Sequence, residues 1–410
     1  MSFATENHLM QNTPIKLGLR ENLLQFTILV MVNAFVGGMV GMERAVLPLI
    51  ATKTFGMNAQ TGILSFIIVF GISKAISNYF SGKLANKYSR KRVLVVGWLF
   101  ALPVPWLLMW APTWEWILVA NVFLGVSQGL TWSSTVVMKI DLVGDKNRGL
   151  AMGLNEFSGY LSVAAVAALT GYVAHKWGIR TYPFYIGIFL SVLGLLVSVV
   201  WVKDTAKHVS IEAEKNSTPL LNNIFIDTTW RHKQLGSVTQ AGIVNNLNDG
   251  MIWGLLPVYL SNLSFSLSEI GVIAGTYPAV WGLGQLLTGK MADKVSGKKM
   301  LFAGMLIQGV ALAAMPLIHT MELWIVVSAL LGAGTAMVYP TFLVTIANNT
   351  HPTDRAESMG IFRFWRDSGY AIGAVLTGIV AEVSNNDVAI LTIAGLTILS
   401  SVVIQARMKA

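Results

Sequence analysis

Long apolar stretches recur along this 410-residue chain, and each approaches the roughly 20 residues that an α-helix needs to cross a bilayer. In lipid the backbone must satisfy its own hydrogen bonds, so spanning segments are helices or a closed barrel. Stretches such as 93–111 and 388–404 are continuously apolar rather than alternating, which favours helices. Only 12% of the residues are charged, against about 25% in a typical soluble domain. The chain is therefore predicted to be an all-α, multi-pass membrane protein.

Twelve membrane spans are predicted from these stretches. They lie at 23–50, 60–82, 93–111, 116–138, 149–173, 182–202, 235–261, 269–289, 300–319, 322–346, 358–382 and 388–406. The connections that follow even-numbered spans are basic, and they hold Lys83, Lys87, Arg90, Lys91, Arg92, Lys139, Lys146, Arg148, Lys290, Lys294, Lys298 and Lys299. The connections on the other side carry only Lys53, Lys176 and Arg180.

This one-sided distribution of basic residues predicts the orientation of the chain. Cytoplasmic loops carry an excess of Lys and Arg, so the tails 1–22 and 407–410 are expected in the cytoplasm, with the spans in the cell (inner or plasma) membrane. The net charge of +9 is then a topology signal, and nucleic acid is rejected as a partner. The polar segment 203–234 has no clear apolar periodicity, and it is predicted to be a cytoplasmic linker between six-helix halves at 23–202 and 235–406.

The two halves repeat one another in sequence. Gly82–Arg92 (GKLANKYSRKR) recurs as Gly289–Lys299 (GKMADKVSGKK), which lies 207 positions later. The same offset relates Arg148 to Arg355, and short blocks in the first span of each half agree at an offset of 209. Because several separated blocks agree within two positions, we predict two six-helix halves of similar structure, related as parallel repeats.

The repeated loop resembles the signature of the major facilitator superfamily between spans 2 and 3, Gly-x-Leu-Ala-Asp-Arg-x-Gly-Arg-Arg. The resemblance covers essentially the whole chain, and it implies a twelve-helix fold of two pseudo-symmetric halves. It also implies that loop residues hold the cytoplasmic ends of the halves together, which makes gating candidates of Gly82, Asn86, Arg90, Gly289 and Asp293. The first copy departs from the signature, because Asn86 replaces the acid. The alternative is that the loops only anchor a hairpin at the membrane surface.

Eight charged residues fall inside the predicted spans, where an unpaired charge is costly. They are Glu43, Arg44, Lys74, Glu156, Asp249, Arg363, Arg366 and Asp367. Four are acidic and four basic, which predicts networks of pairs, and all except Lys74 are candidates for binding protons or substrate. Asn245 and Asn246 join these candidates because they precede Asp249 in the same span. The alternatives are buried structural hydrogen bonds and, for Arg44, a position at the membrane interface.

Lys74 and Asp367 are predicted to lie at similar depth, about 12 Å and 15 Å from the cytoplasmic side at roughly 1.5 Å of rise per residue. Spans 2 and 11 are neighbours in the resembling fold. A contact that forms when the cytoplasmic ends are close would make this pair a gate. The alternative is a static pair of Arg363 with Asp367, which lie four positions apart on one helix.

Alignment of the halves shows where they have diverged. It pairs Arg44 with Trp253, Lys74 with Trp281, and Glu156 with Arg363. Asymmetric charge on a symmetric scaffold suits an asymmetric ligand, although drift with compensating pairs is the alternative. Four aromatic residues are candidates for the wall of a substrate cavity, with plain packing as the alternative: Trp132, Trp253, Tyr339 and Trp365.

These features predict a secondary active transporter rather than an enzyme. The chain lacks a Walker phosphate-binding loop and has no cysteine, so neither an ATP-driven pump nor a thiolate metal site is expected, and no cofactor is predicted. The expected substrate is a small polar or amphiphilic organic solute, with anions and zwitterions among the candidates, moved by alternating access with proton coupling. The alternatives are a transporter-like ligand sensor without flux and an uncoupled facilitator. A monomer is expected.

Overall fold

The computed structural model describes residues 15–44, 46–57 and 59–409, and these residues form helices joined mostly by short connections. The first half contains α1 Leu23–Arg44, α2 Leu47–Lys53, α3 Ala59–Lys87, α4 Arg90–Ala101, α5 Pro103–Trp110, α6 Trp114–Val143, α7 Arg148–Trp177 and α8 Tyr182–Val200. The segment between the halves contains α9 Ala206–Lys215, α10 Ile224–Ile226 and a π-helical turn at Asp227–Arg231. The second half contains α11 Lys233–Asn262, α12 Leu267–Ala292, α13 Gly297–Ala314, a 3₁₀ turn at Met315–Leu317, α14 Met321–Asn348, α15 Pro352–Val383 and α16 Asn386–Arg407.

Each predicted span corresponds to one long helix or to two consecutive ones. Spans 1 and 3 are interrupted, and in each case a proline lies in the first turn of the second piece: Pro48 in α2 and Pro103 in α5. Proline lacks the backbone N–H and crowds the preceding turn, so a break there is expected. Helix α6 continues to Val143, beyond the predicted end of span 4 at 138.

Helix polarity divides the spans into two groups. Within the described residues, eight helical segments are long and apolar enough to cross a membrane by length and composition alone. Among the described residues, the other long helices, α3, α6, α11 and α15, are not counted among these eight. A helix that carries polar groups inside a membrane protein must turn them away from lipid. These four helices are the ones that supply most of the buried polar residues of the centre.

The two halves meet at two crossings that the repeat relates to one another, α3 with α15 and α12 with α7. At the first crossing, an added Cβ on Gly82 would lie 2.6 Å from the Cα of Glu357. At the second, an added Cβ on Gly289 would lie 2.7 Å from the carbonyl oxygen of Gly149. Only glycine allows two backbones to approach so closely. The repeated loop glycines therefore lie where the halves touch.

The loop acid and its amide counterpart also bind across the halves. The carboxylate of Asp293 accepts hydrogen bonds from the backbone N–H of Gly149 at 2.6 Å and of Leu150 at 2.9 Å, at the first turn of α7. A carboxylate at a helix N-terminus satisfies free N–H groups and complements the helix dipole. At the equivalent place Asn86 Nδ2 instead donates to the carbonyl oxygen of Thr353 at 3.0 Å. The contact of the loop acid at one crossing is thus charged, and the contact of its amide counterpart at the other crossing is neutral.

The halves separate on the opposite side of the molecule. An added Cβ on Gly71 in α3, or on Gly275 or Gly282 in α12, would meet no other described atom within 4 Å. These three glycines line a cavity between the halves. The side that carries the α3–α4 and α12–α13 connections, here called the basic-loop side, is therefore closed, and the cavity lies beyond the closure.

Candidate functional site

The cavity between the halves has a volume of about 550 Å³. Helices of both halves line it, α1, α3, α6 and α7 on one side and α11, α12 and α15 on the other. Its aromatic lining consists of Phe70, Trp132, Phe157, Tyr160, Trp253, Trp281 and Tyr370. A concave, mostly apolar site of this size, with a few polar groups, is typical of small-molecule binding.

Two basic residues, Arg44 and Lys74, are the charged groups on the described cavity wall. The guanidinium carbon of Arg44 lies 5.9 Å from the centroid of the Trp253 ring, and no described carboxylate lies within 4.0 Å of the Arg44 nitrogens. Lys74 Nζ lies 3.5 Å from Asp367 Oδ2 and 5.6 Å from the centroid of the Trp132 ring. The wall is therefore basic and aromatic.

Asp367 lies under the cavity and joins the halves. Its carboxylate accepts hydrogen bonds from Arg366 Nε at 2.7 Å and from Asn78 Nδ2 at 2.7 Å, in addition to the Lys74 contact. The predicted contact between Lys74 and Asp367 is thus present while the basic-loop side is closed. The alternative pair of Arg363 with Asp367 was wrong, because Arg366 occupies that place and the carboxylate nearest to Arg363 belongs to Glu156.

Glu156 forms a second buried network next to the first. Its Oε1 atom accepts from Asn155 Nδ2 at 2.7 Å and from Trp132 Nε1 at 3.3 Å, and it lies 3.7 Å from Arg363 Nη2. Lys139 Nζ donates to Asn155 Oδ1. Lys139 was assigned to a loop from the sequence, and this was wrong, because it lies within α6 and is fully buried. The two networks together hold four basic side chains and only two carboxylates, so basic groups outnumber acidic ones at the centre.

The repeat explains where these pairs lie. Lys74 and Asp367 meet at the crossing of α3 with α15, and the equivalent positions in the other crossing are Trp281 and Tyr160. The rings of Trp281 and Tyr160 also touch, with centroids 4.0 Å apart. One crossing is therefore closed by an ion pair and its counterpart by an aromatic pair, so the centre is asymmetric although the helix packing is symmetric.

Two buried acids stand apart from both networks. Asp249 is fully buried, accepts a hydrogen bond from the Tyr277 hydroxyl through Oδ1, and makes no hydrogen bond with the described residues through Oδ2. Glu43 is 2% exposed, and its Oε2 has no hydrogen-bond partner in the described part of the chain. Within the described residues, neither acid has a cation within 4.0 Å. Ionisation of either group would therefore leave a buried charge without a direct partner, which is costly.

The remaining predicted site residues are divided between the centre and the periphery. Asn246 Oδ1 accepts from Asn245 Nδ2 at 3.3 Å and from the Tyr339 hydroxyl at 3.1 Å. Tyr339 is buried beneath the cavity, with its ring centroid 4.8 Å from that of Trp281, and it is not part of the cavity lining. The placement of Trp365 in the aromatic wall was wrong, because its Nε1 donates to Thr229 at 3.0 Å, in the segment between the halves.

Several residues of the centre were not predicted from the sequence. They are Phe70, Asn78, Lys139, Asn155, Tyr160, Tyr277 and Tyr370. A signal was available for Tyr160, because the 207-residue offset relates it to Asp367. Tyrosine and asparagine within apolar helices have no such signal of their own, since both also occur as ordinary packing residues.

A third charged cluster lies at the basic-loop side. Glu212, on helix α9 between the halves, accepts hydrogen bonds from Arg355 Nη1 at 2.8 Å and from Arg355 Nη2 at 2.6 Å, and it also pairs with Arg148. Arg148 and Arg355 are equivalent positions of the repeat, so a single carboxylate joins the two halves. We call these three residues the linker clasp. The gating candidate Arg90 does not cross between the halves, since its Nε pairs with Asp141 at 3.2 Å within the first half.

The surroundings of Glu212 determine its ionisation. Burial alone would raise the pKa of Glu212, but the hydrogen bonds and charges of Arg355 and Arg148 outweigh it and hold this pKa below its usual range. Its contribution to stability is therefore present above the ordinary carboxyl pKa of about 4.3 and is lost as pH falls through the lowered value. The linker clasp is intact at neutral pH.

We expect Glu212→Gln to open the basic-loop side. Removal of one partner from an isolated buried ion pair costs about 3–5 kcal/mol, but here Arg148 keeps Asp145 at 2.9 Å and Arg355 keeps Asp141 at 3.7 Å, so we expect a smaller cost of about 1–2 kcal/mol. The open population should therefore rise roughly 5–30-fold. Spin labels on cysteines at positions Lys87 and Lys290 report the distance across this side by pulsed EPR, since the chain has no native cysteine.

The control for this variant is Glu214→Gln, which changes an exposed acid on the same helix. It should leave the distance distribution of the parent protein unchanged. Equal distributions for the two variants would show that the linker clasp does not hold the halves together.

Comparison with known proteins agrees with this architecture. A model of the Major Facilitator Superfamily matches residues 27–236 and 238–408, as two consecutive matches. The proton-coupled antiporter flippase LtaA of Staphylococcus saprophyticus is 24% identical over 374 residues, covering 88% of each chain. The structure of the human organic anion transporter MFSD10 has a TM-score of 0.74 at 14% identity, covering 93% of this chain and 98% of that one.

A second solved structure gives the same result. The proton:xylose symporter XylE has a TM-score of 0.73 at 12% identity, and the match covers 94% of this chain and 96% of that one. At such identities these structures support the fold alone. The family model spans nearly the whole chain in two matches that correspond to its two halves, and the protein belongs to the major facilitator superfamily of transporters.

Proposed function

We propose that the protein is a secondary active transporter that moves a small amphiphilic organic solute by alternating access, coupled to protons. The observation that carries this proposal is the cavity of about 550 Å³, which both halves line and which close helix crossings seal on one side only. A cavity bounded by two separate helix bundles changes its access when the bundles rock against each other. The cavity lies within a single chain, so we propose that the monomer is the working unit.

Proton coupling is supported by the buried acid Asp249. It lies one residue before the cavity residue Gly250, and Tyr277, which donates to it, is in α12 of the cavity wall. An acid that no cation neutralises changes the local field strongly when it gains or loses a proton. The names of two similar proteins, a proton-coupled antiporter and a proton:xylose symporter, agree with this assignment.

We also propose that the basic-loop side faces the cytoplasm, with both ends of the chain on that side and the spans in the cell membrane. The support is the excess of lysine and arginine in those connections. The described arrangement is then the outward-open one. Single cysteines replacing Lys53 and Lys290 test the orientation in intact cells, because a membrane-impermeant maleimide should label the first and not the second; the reverse pattern would overturn it.

The transport experiment separates this proposal from its alternatives. A thermal-shift screen of metabolites on the purified protein identifies stabilising solutes, and a radiolabelled hit is then offered to proteoliposomes with and without an imposed pH gradient. Accumulation or depletion that follows the gradient supports proton-coupled transport. Flux that is the same with and without the pH gradient would identify an uncoupled facilitator. Binding without flux would identify a ligand sensor.

A further inference from the structure

We propose that the solute is an amphiphilic anion, which places its carboxylate, sulfonate or phosphate group against Arg44 and Lys74. Its apolar body would lie on the opposite wall, between α7 and α12. This inference rests on the transport function proposed above, and it adds the chemical class and the orientation of the ligand.

The charge of the cavity wall is the first argument. Arg44 and Lys74 are its charged residues in the described part of the chain, and neither has an exclusive counter-ion. Among the described residues, Arg44 has no carboxylate within 4.0 Å. Lys74 shares Asp367 with Arg366, which lies closer, at 2.7 Å against 3.5 Å. A bound anion would therefore find unused positive charge in a site whose low polarity strengthens the attraction.

The buried layer beneath the cavity adds to this charge. Arg363 Nη2 lies 3.7 Å from Glu156, whereas Lys139 Nζ donates to Asn155 and has no described carboxylate within 4.0 Å. The nitrogens of Arg363 make no hydrogen bonds with the described residues. A cationic or neutral solute would leave this surplus unmatched, whereas an anion would reduce it.

The opposite wall is apolar. On this side α7 contributes Phe157, Leu161 and Ala164 to the cavity, and α12 contributes Ala279 and Leu283. Leu161 is 51% exposed and Leu283 is 62% exposed, although both line the cavity, so the space between α7 and α12 is not filled by side chains of the protein. An apolar body placed there would cover these residues and gain about 25 cal/mol for each Å² removed from water.

The two crossings define the orientation of the ligand. The ion pair of Lys74 with Asp367 lies at the crossing of α3 with α15, and the aromatic pair of Tyr160 with Trp281 lies at the crossing of α7 with α12. These crossings are equivalent in the repeat. One crossing therefore offers an ion pair and the other an aromatic pair, which matches a molecule with a charged group and an apolar body.

Three aromatic compounds of the same size test this proposal by equilibrium binding to the purified protein at neutral pH. They are phenylbutyrate, its neutral amide phenylbutyramide, and the cation phenylbutylamine. A charge-assisted contact with the basic wall should make the anion bind about tenfold more tightly than the amide, with the amine weakest. Lys74→Gln and Arg44→Gln should each remove most of that difference. Lys176→Gln is the control, because Lys176 also lies over a tryptophan ring, Trp177, but outside the cavity.

Equal binding of the three compounds, or a preference for the anion that survives both cavity variants, would overturn the proposal. Binding is measured without a proton gradient, so a negative result would leave the transport proposal standing. Repeating the measurement in nanodiscs distinguishes two sources of the anion. In salt high enough to screen the charge of the membrane surface, weaker phenylbutyrate binding in phosphatidylglycerol than in phosphatidylcholine would identify a competing lipid headgroup, and equal binding would identify a water-soluble anion.

Discussion

Asp249→Asn is expected to abolish gradient-driven transport while leaving solute exchange in place. The asparagine keeps the acceptor for the Tyr277 hydroxyl and imitates the neutral acid, so the fold and the cavity should persist. It cannot lose a proton, however, and the carrier could no longer link solute movement to the gradient. Accumulation in proteoliposomes should fall to the level measured without a pH gradient, and counterflow of the radiolabelled solute should remain close to that of the parent protein.

The matched control for this variant is Asp387→Asn. Asp387 also accepts a hydrogen bond from a tyrosine, Tyr259, at 2.6 Å, but it is exposed at the start of α16. The control should transport as the parent does. Unchanged gradient-driven accumulation in Asp249→Asn would remove Asp249 from the coupling mechanism, and the same experiment on Glu43→Gln and Glu156→Gln would then test the remaining buried acids.

Lys74→Gln should shift the protein from the described arrangement toward one that is open on the basic-loop side. After removal of Lys74, Asp367 still has Arg366 and Asn78 as partners. The closed arrangement should therefore lose about 1–2 kcal/mol of stability, which is less than the cost of breaking an isolated buried pair. This corresponds to a population change of roughly 5–30-fold. The same Lys87 and Lys290 spin labels measure it.

The equivalent crossing supplies the control for Lys74. Tyr160→Phe keeps the ring that packs against Trp281, and it should leave the populations unchanged. The double exchange of Lys74→Asp with Asp367→Lys should recover only part of the loss, because the new lysine would lie beside Arg366. If the double exchange is no better than the single changes, the ion pair does not act as a gate.

The repeat made much of the fold and part of the site predictable from the sequence. The number of spans follows from apolar length and from the 207-residue offset, which do not depend on side-chain direction, and the contact of the repeated loops was implied by the family resemblance. The contact of Lys74 with Asp367 followed from depth, since the rise per residue of a helix is fixed, together with the adjacency of spans 2 and 11 in the resembling fold. Contacts that lie near the axis between the halves, such as Glu156 with Arg363, join equivalent positions of the two halves.

The failures have a different physical origin. Trp365 lies next to Arg366, but one step along a helix turns the side chain by about 100°, so depth alone could not place it on the cavity wall. Lys139 was assigned to a loop because it follows the apolar run, although a polar residue extends a helix well when a partner such as Asn155 is available. Glu212 lies on a ten-residue helix whose buried residues are Val209 and Glu212 itself, so an apolar pattern alone could not place this acid on the buried face.

Alternating access is tested most directly by two distances in the same protein. Spin labels at Lys87 and Lys290 report the distance between the halves on the closed basic-loop side. Labels at Lys53, the last residue of α2, and at Ser261, near the end of α11, report that distance on the opposite side. When two helix bundles rock against each other, the distance between them lengthens on one side of the membrane as it shortens on the other. In Lys74→Gln relative to the parent protein, the distance between Lys87 and Lys290 should therefore lengthen while that between Lys53 and Ser261 shortens. Two distances that change in the same sense, or that both stay fixed, would contradict the account.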